Sequence, residues 1–146
     1  MPKKKVLVTG LNGVVGSALK SVFEKKYELS SFSRFGCDQI PNERNHKGNL
    51  KSFDSVLEAF QGQDVVVHLA ADRSMTAEWD TVLPYNIIGT QNVFEAAKIA
   101  GVKRVVFGSS QHAVGGNYLD EPYRSILSAN FSKVKRPYKR IDENAP

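Results

Sequence analysis

The stretch Lys5-Val6-Leu7-Val8-Thr9-Gly10-Leu11-Asn12-Gly13-Val14-Val15-Gly16 decides how this chain folds. Its opening run is short, apolar and β-branched and ends on glycine, the pattern of a strand buried on both faces. Gly10, Gly13 and Gly16 then space a turn as G-x-x-G-x-x-G. Beyond it Val14, Val15, Ala18, Leu19, Val22 and Phe23 recur at three- and four-residue intervals to about Lys26, which predicts an amphipathic helix. A glycine-rich turn in that setting can cradle a diphosphate. Gly10 permits the tight turn, Gly13 lets backbone N–H groups approach the phosphates, Gly16 lets the helix pack closely, and the helix N-terminus supplies positive potential. No Lys-Ser/Thr pair follows, which argues against a mononucleotide P-loop.

Working outward, Tyr27 to Phe32 predicts a second strand and Ser33 to Asn45 a polar connection around Pro41. His46 to Gly48 predicts a very short third strand. Ser52 is the cap of a helix through Phe60, with Phe53, Val56, Leu57 and Phe60 on one face and Gly62 at its end. Asp64 to Leu69 is a fourth strand. A long helix is expected from about Thr81 to Ala100, with Pro84 tolerable only in its first turn and Gly101 as its stop. Lys103 to Phe107 reads as another buried strand. Strands alternating with helices predict an α/β fold, a doubly wound parallel sheet of the Rossmann type in the order 3-2-1-4-5. Its ligand crevice lies at the carboxyl ends of the strands, where the winding reverses between strands 1 and 4.

With 146 residues, 41% of them hydrophobic and 24% charged, the chain can build one buried core, which excludes wholesale disorder, a collagen helix or a disulfide scaffold. The lone Cys37 cannot form an internal bridge. With no secretory apolar segment behind Met1, a reducing cytoplasm is the expected compartment. The longest strongly apolar stretch, Val65 to Ala71 broken by His68, is far short of the ~20 residues a membrane helix requires, so no membrane partner is expected. The net charge of +5 is unevenly placed. Up to Glu121 there are 14 basic and 13 acidic residues, whereas Arg124, Lys133, Lys135, Arg136, Lys139 and Arg140 face only two acids from Pro122 onward. The excess belongs to the segment from Pro122 onward, and the expected organisation is a dinucleotide-binding domain over residues 1–116 followed by a basic, poorly ordered tail over 117–146. Phe131 and Tyr138 among the lysines are compatible with RNA or DNA, but nucleic acid is not the expected partner.

The Thr9-Gly10-x-x-Gly13-x-x-Gly16 motif resembles the extended short-chain dehydrogenase/reductase superfamily, the NAD(P)-dependent sugar epimerases and dehydratases. Further blocks match in order: Gly48-Asn49-Leu50, Asp64 to Ala71 with His68 inside it, Asn86 to Ala97 with Gly89-Thr90, Gly101 to Phe107, and Ser109-Ser110. The resemblance covers residues 3 to about 116. The run Ser109 to Gly115 is similar to that of uronate dehydrogenases and related archaeal sugar dehydrogenases.

The resemblance implies roles residue by residue. Gly10, Asn12, Gly13 and Gly16, with the amides of Val14 and Val15, are expected around the pyrophosphate. Asn49 and Leu50 would flank the adenine, although the superfamily usually has Asp where Asn49 stands. Leu69, Ala70 and Ala71 would line the floor beside the riboses, with ordinary core an equal alternative for Leu69. Ser33 stands at the usual acidic position after strand 2. With Arg34 beside it, a 2′-phosphate is welcomed rather than repelled, which favours NADP over NAD as cofactor. Asn86 is expected on the nicotinamide side; Ser74, Gln111 and His112 are expected at a sugar substrate.

Ser110 fits the catalytic hydroxyl that follows strand 5. The superfamily's other catalytic pair, a Tyr and Lys spaced Y-x-x-x-K, is absent, since none of the five tyrosines is followed at the fourth position by Lys. The expectation is therefore a piece, from the N-terminal side, of a protein about twice as long, cut before the later strands and the substrate domain. The intact protein would be an NAD(P)-dependent sugar dehydrogenase, epimerase or dehydratase and a homodimer; the piece itself would be inactive. The alternative is a non-catalytic dinucleotide-binding or interaction module. No metal site is expected, because no Cys/His cluster has ligand spacing. His46 reads as a loop or edge residue and His68 as a satisfied core residue.

Overall fold

The computed structural model describes residues 2–142, the side chains of Gln111 and Val114 apart. Its central strand is β1 (Lys5–Thr9), followed by α1 (Val14–Lys26), β2 (Glu28–Ser33), a 3-10 turn over Asn42–Arg44 and β3 (Asn45–Lys47). Next come α2 (Phe53–Phe60), β4 (Val65–His68), α3 (Trp79–Val82), a π-helical stretch over Leu83–Ile88, α4 (Gly89–Ile99) and β5 (Arg104–Phe107). The strands form one sheet in the order β3-β2-β1-β4-β5, every neighbouring pair parallel. The sequence expectation of a Rossmann-type sheet in the order 3-2-1-4-5 is met.

Alternation along β1 explains the double winding. Leu7 joins Phe32, Val56, Phe60, Val66, Val93 and Ala96 in the core under α2 and α4. Val6 and Val8 face the other way, into a second core with Leu11, Leu29, Ile40 and Val67 against which Phe23 of α1 packs. A strand with both faces covered needs apolar residues at successive positions, which is why the sequence runs without a polar alternation. Ser52 caps α2, its side chain accepting from the Ser55 amide, and Lys25 and Lys26 complement the dipole at the C-terminus of α1.

Two sequence expectations fail for identifiable reasons. The helical run starts at Trp79, two residues earlier than its pattern suggests, so Pro84 falls in the second turn. The run absorbs the missing N–H by widening into the π stretch Leu83–Ile88, where the Gly89 amide donates to the Pro84 carbonyl five residues back. β5 is not a buried strand. It lies at the sheet edge beside β4 alone, and Val106 and Phe107 are 46% and 48% exposed. A run of apolar residues reads the same whether one or two faces are covered.

The chain divides into two compact units, Met1–Gly108 and Ser109–Pro146. Within the second, a 3-10 segment spans Gln111–Leu119, α5 spans Tyr123–Leu127 and a short turn spans Phe131–Lys133. Ser125 is buried there, and the Tyr123 hydroxyl donates to the Lys139 carbonyl. Among the described residues no helix is long and apolar enough to cross a membrane.

Candidate functional site

The glycine turn after β1 is closed around its own backbone. Gly10 has φ +74°, and a Cβ there would stand 2.9 Å from the Ala70 nitrogen at the end of β4. A Cβ on Gly16 would meet the Gly10 carbonyl oxygen at 2.5 Å and Leu11 Cα at 2.6 Å. The space a side chain would fill is therefore taken by the turn, which holds the start of α1 hard against the sheet. The Gly13 amide donates to the Gly10 carbonyl at 2.9 Å, so that N–H is spent on the turn itself. The following amides differ. Gly13 offers α1 no side-chain cap, and the first turn contains no acidic residue. The opening N–H groups of a helix have no partner within it, and here neither a capping side chain nor a first-turn carboxylate meets them. Val14 and Val15 carry their side chains outward, 70% and 58% exposed. A helix start of this kind, with free amides and no carboxylate in its first turn, is a candidate site for an anion.

Behind the cradle stands a buried network that the glycine motif does not signal. Thr9 Oγ1 accepts the amides of Leu69 and Ala70, each at 3.2 Å. The Leu69 amide is shared with the Thr9 carbonyl, also at 3.2 Å; with two amides aimed at the hydroxyl oxygen, its proton is directed to His68 Nδ1, 2.7 Å away. This fixes the tautomer: the proton of the neutral ring sits on Nε2, which donates to Thr90 Oγ1 at 3.3 Å. The imidazole is also stacked on Phe107, with ring centroids 5.6 Å apart. Burial lowers the His68 pKa to about 4, so the ring is neutral near pH 7. His68 is a satisfied core residue, as its sequence context suggests, and with Thr9 it sets where Leu69 and Ala70 turn away from the sheet. The signal for Thr9 is its position, immediately before Gly10 at the end of a buried strand, where a hydroxyl must find partners.

The ends of β2 and β3 form the adjoining wall. Ser33 Oγ and Asn12 Nδ2 both donate to the Gly36 carbonyl, at 3.0 and 2.8 Å, tying the turn after β2 to the glycine turn. Gly36 itself has φ +83°. Arg34 rides on this turn with its guanidinium carbon 5.6 Å from the Phe35 ring centroid and 5.4 Å from that of Tyr85. Lys51 Nζ lies 5.2 Å from the Tyr85 centroid. Asn49 Oδ1 accepts the Lys51 amide at 3.0 Å, closing a local turn. The Leu50 side chain is in the core, and its carbonyl accepts from Asn92 Nδ2 at 2.7 Å. Gly89 is where α4 crosses this loop, for a Cβ there would stand 3.0 Å from Leu50 Cβ.

Asn86, in the π stretch, holds the loop after β4. Its Oδ1 accepts the Asp72 amide at 2.7 Å and its Nδ2 donates to the Asp72 carbonyl at 2.8 Å. Ala70 is packed against the core, whereas Ala71 and Ser74 are exposed. Ser74 Oγ is within 3.2 Å of Thr76 Oγ1. The structure therefore brings Gly10 to Gly16, Ser33, Arg34, Asn49, Leu50, Leu69 to Ala71 and Asn86 to the carboxyl edge of one sheet. Ser110, Gln111 and His112 open the second unit. Ser110 is the N-cap of its first segment, its Oγ accepting the His112 amide at 3.1 Å, and the His112 side chain is exposed. The Gln111 side chain lies outside the described ones. Among the described residues no group of His, Cys, Asp and Glu could hold a metal ion.

This architecture matches a family model, described as the NAD dependent epimerase/dehydratase family, over residues 6–140. The chain belongs to that family. It is 36% identical over 111 residues to an L-arabinose 1-dehydrogenase (NAD(P)(+)) of Haloferax volcanii, a match covering 74% of this chain and 41% of that protein. Among solved structures, uronate dehydrogenase from Agrobacterium tumefaciens aligns at a TM-score of 0.66 with 32% identity, over 77% of this chain and 42% of that one. A mutant of the same enzyme complexed with NAD aligns at a TM-score of 0.66 and 32% identity, covering 75% of this chain and 42% of that one. The chain thus spans about two fifths of the length of the family members it matches.

Proposed function

We propose that the Met1–Gly108 unit binds NADP or NAD at the carboxyl edge of its sheet, as the cofactor-binding part of an oxidoreductase acting on a sugar, sugar acid or nucleotide sugar. The observation that carries this is the N-terminus of α1, uncapped and with no carboxylate in its first turn, standing behind a glycine turn in which a Cβ on Gly10 or Gly16 would clash with backbone. The amides of Val14 and Val15 would hold the pyrophosphate with Gly10, Asn12, Gly13 and Gly16 shaping the turn. Asn49 and Leu50 would flank the adenine, and Leu69, Ala70 and Ala71 would support the riboses. Arg34 beside Ser33, where a carboxylate would exclude a 2′-phosphate, favours NADP. Asn86 would stand on the nicotinamide side. The bound nicotinamide supplies hydride transfer.

In the whole enzyme Ser110 would orient the sugar oxygen, and Ser74, Gln111 and His112 would meet the sugar. Because the chain has no Y-x-x-x-K, it lacks the residues that move the proton, and it is proposed to bind cofactor without turning over sugar. The relatives named above act on a pentose and on uronates, which is the support for a sugar or sugar acid as substrate.

A carboxylate placed at the start of α1 tests the site. Val14→Asp puts a negative charge on an exposed position of the first turn, where it favours the helix dipole and opposes a pyrophosphate. The variant is expected to fold at least as stably as wild type and to bind NADP and NAD about tenfold or more weakly by calorimetric titration. Equal affinity in the variant, or no binding of either dinucleotide by wild type at millimolar concentration, would overturn the assignment. NAD(P)H formation by this chain alone with uronates or aldoses would overturn the inactivity.

A further inference from the structure

Arg34, Lys51 and Tyr85 come from three separate places in the chain: the turn after β2, the loop after β3 and the π stretch before α4. Both cationic head groups lie within 5.4 Å of the centroid of one tyrosine ring, so their separation cannot exceed the sum of two such distances. Like charges on one ring repel, and a protein that gathers them commonly supplies a carboxylate. None is supplied here. Among the described residues the ion pairs are Lys20 with Glu24, Lys103 with Asp64, Arg124 with Glu121 and Lys139 with Asp142, and neither Arg34 nor Lys51 takes part.

Each of the three is held in place. Arg34 follows the last residue of β2, on the turn fixed by Ser33 and Asn12 through the Gly36 carbonyl. Lys51 follows Leu50, which is locked by its burial, by Asn92 and by the close crossing at Gly89. Tyr85 precedes Asn86, which is clamped to Asp72 on both sides of the amide. Long cationic side chains otherwise lose considerable rotamer freedom when fixed. An aromatic ring pre-positions them without neutralising them.

We propose that Arg34 and Lys51, both arranged by Tyr85, form a two-cation clasp for a phosphate monoester, and that the ester is the 2′-phosphate of the adenosine half of the cofactor. This rests on the cofactor-binding reading above and adds to it a second charged contact and an aromatic positioning residue. A 2′-phosphate dianion between the two head groups receives a planar fork of donors from Arg34 and a point charge from Lys51, and removes their repulsion. The cofactor without that phosphate finds two exposed cations and no partner for them. Lys51 is a specificity-determining residue that acts on the choice between NADP and NAD; Tyr85 is a positioning residue that acts through both cations.

The test is calorimetric titration of the full chain and of Lys51→Ala, Tyr85→Leu and Tyr85→Phe with NADP, NAD, adenosine 2′,5′-bisphosphate, 5′-AMP and inorganic phosphate, with circular dichroism melts as the folding control. Wild type is expected to prefer NADP to NAD. Lys51→Ala is expected to lose about tenfold in NADP and bisphosphate affinity while NAD and 5′-AMP change less than twofold. Tyr85→Leu is expected to follow Lys51→Ala, and Tyr85→Phe, which keeps the ring, to follow wild type. Equal weakening toward NADP and NAD, no weakening, or a wild type indifferent to the 2′-phosphate overturns the clasp and leaves the cofactor site standing. Binding of inorganic phosphate as tightly as the bisphosphate, with the same dependence on Lys51, overturns its assignment to the adenosine. Binding of no dinucleotide at all overturns the clasp together with the cofactor reading.

Discussion

Acidification should destabilise the Met1–Gly108 unit through His68 before the bulk of its carboxylates titrate. In the fold His68 is almost wholly buried and its pKa is lowered to about 4 by that burial, against about 6.5 in an unfolded chain. Between those values the unfolded state binds a proton that the folded state refuses. Stability is therefore fully present above about pH 6.5 and is lost as the pH falls toward 4. Each pKa unit corresponds to about 1.4 kcal/mol, which gives about 3 kcal/mol over the whole window and about 2 kcal/mol between pH 7.5 and pH 5. The hydrogen-bond geometry gives the same sign. Thr9 Oγ1 already accepts two amides and donates to Nδ1, so a proton placed on Nδ1 would face an O–H aimed at it. The assay is urea unfolding followed by circular dichroism at pH 7.5, 6.5, 5.5 and 5.0, in wild type and His68→Gln. Partly buried His46, whose pKa is also lowered by burial against the opposing pull of Glu58, adds a drop of the same sign, so His46→Gln is run in parallel. Wild type should lose about 2 kcal/mol that His68→Gln does not lose, and His46→Gln should retain most of the drop. A pH-independent wild type, or a drop that survives unchanged in His68→Gln, refutes the reasoning. Nitrogen NMR shifts that put the neutral ring's proton on Nδ1 would refute the tautomer.

Two further substitutions probe the frame of the site. Gly16→Ala drives a methyl to 2.5 Å from the Gly10 carbonyl, against backbone that has no rotamer to escape by. It should cost about 1–3 kcal/mol or more in urea unfolding and sharply weaken dinucleotide binding, whereas a stable variant with wild-type affinity would show that the turn is looser than its contacts imply. Asn86→Ala removes both hydrogen bonds to Asp72 and is expected to cost about 1–3 kcal/mol. It should raise amide hydrogen exchange in the loop after β4, and unchanged exchange at Asp72 and its neighbours would contradict the clamp.

Much of this molecule is decided by the order of residues alone. The β-branched run of β1, the glycine spacing after it and the three-to-four periodicity of α1 are local properties, so the βαβ unit and the parallel sheet are legible in the residues themselves. The same holds for Ser52 at the start of α2 and for the tight glycine turn between β1 and α1. Burial is not local. The apolar run of β5 reads as a core strand, but its place at the sheet edge leaves Val106 and Phe107 half-exposed. Pro84 is accommodated by a π stretch because the helical run begins at Trp79 and places the proline in its second turn.

Partnership across the fold is not local either. Thr9 and His68 lie 59 residues apart, and only the parallel register of β1 against β4 joins them. Arg34, Lys51 and Tyr85 are ordinary residues one at a time; the turn after β2, the crossing at Gly89 and the clamp at Asn86 gather them around one ring. Sequence determines what each segment can form, since that depends on neighbours along the chain. Tertiary structure decides which charges and hydroxyls share a space, because electrostatics and hydrogen bonding act over ångströms and are blind to sequence distance.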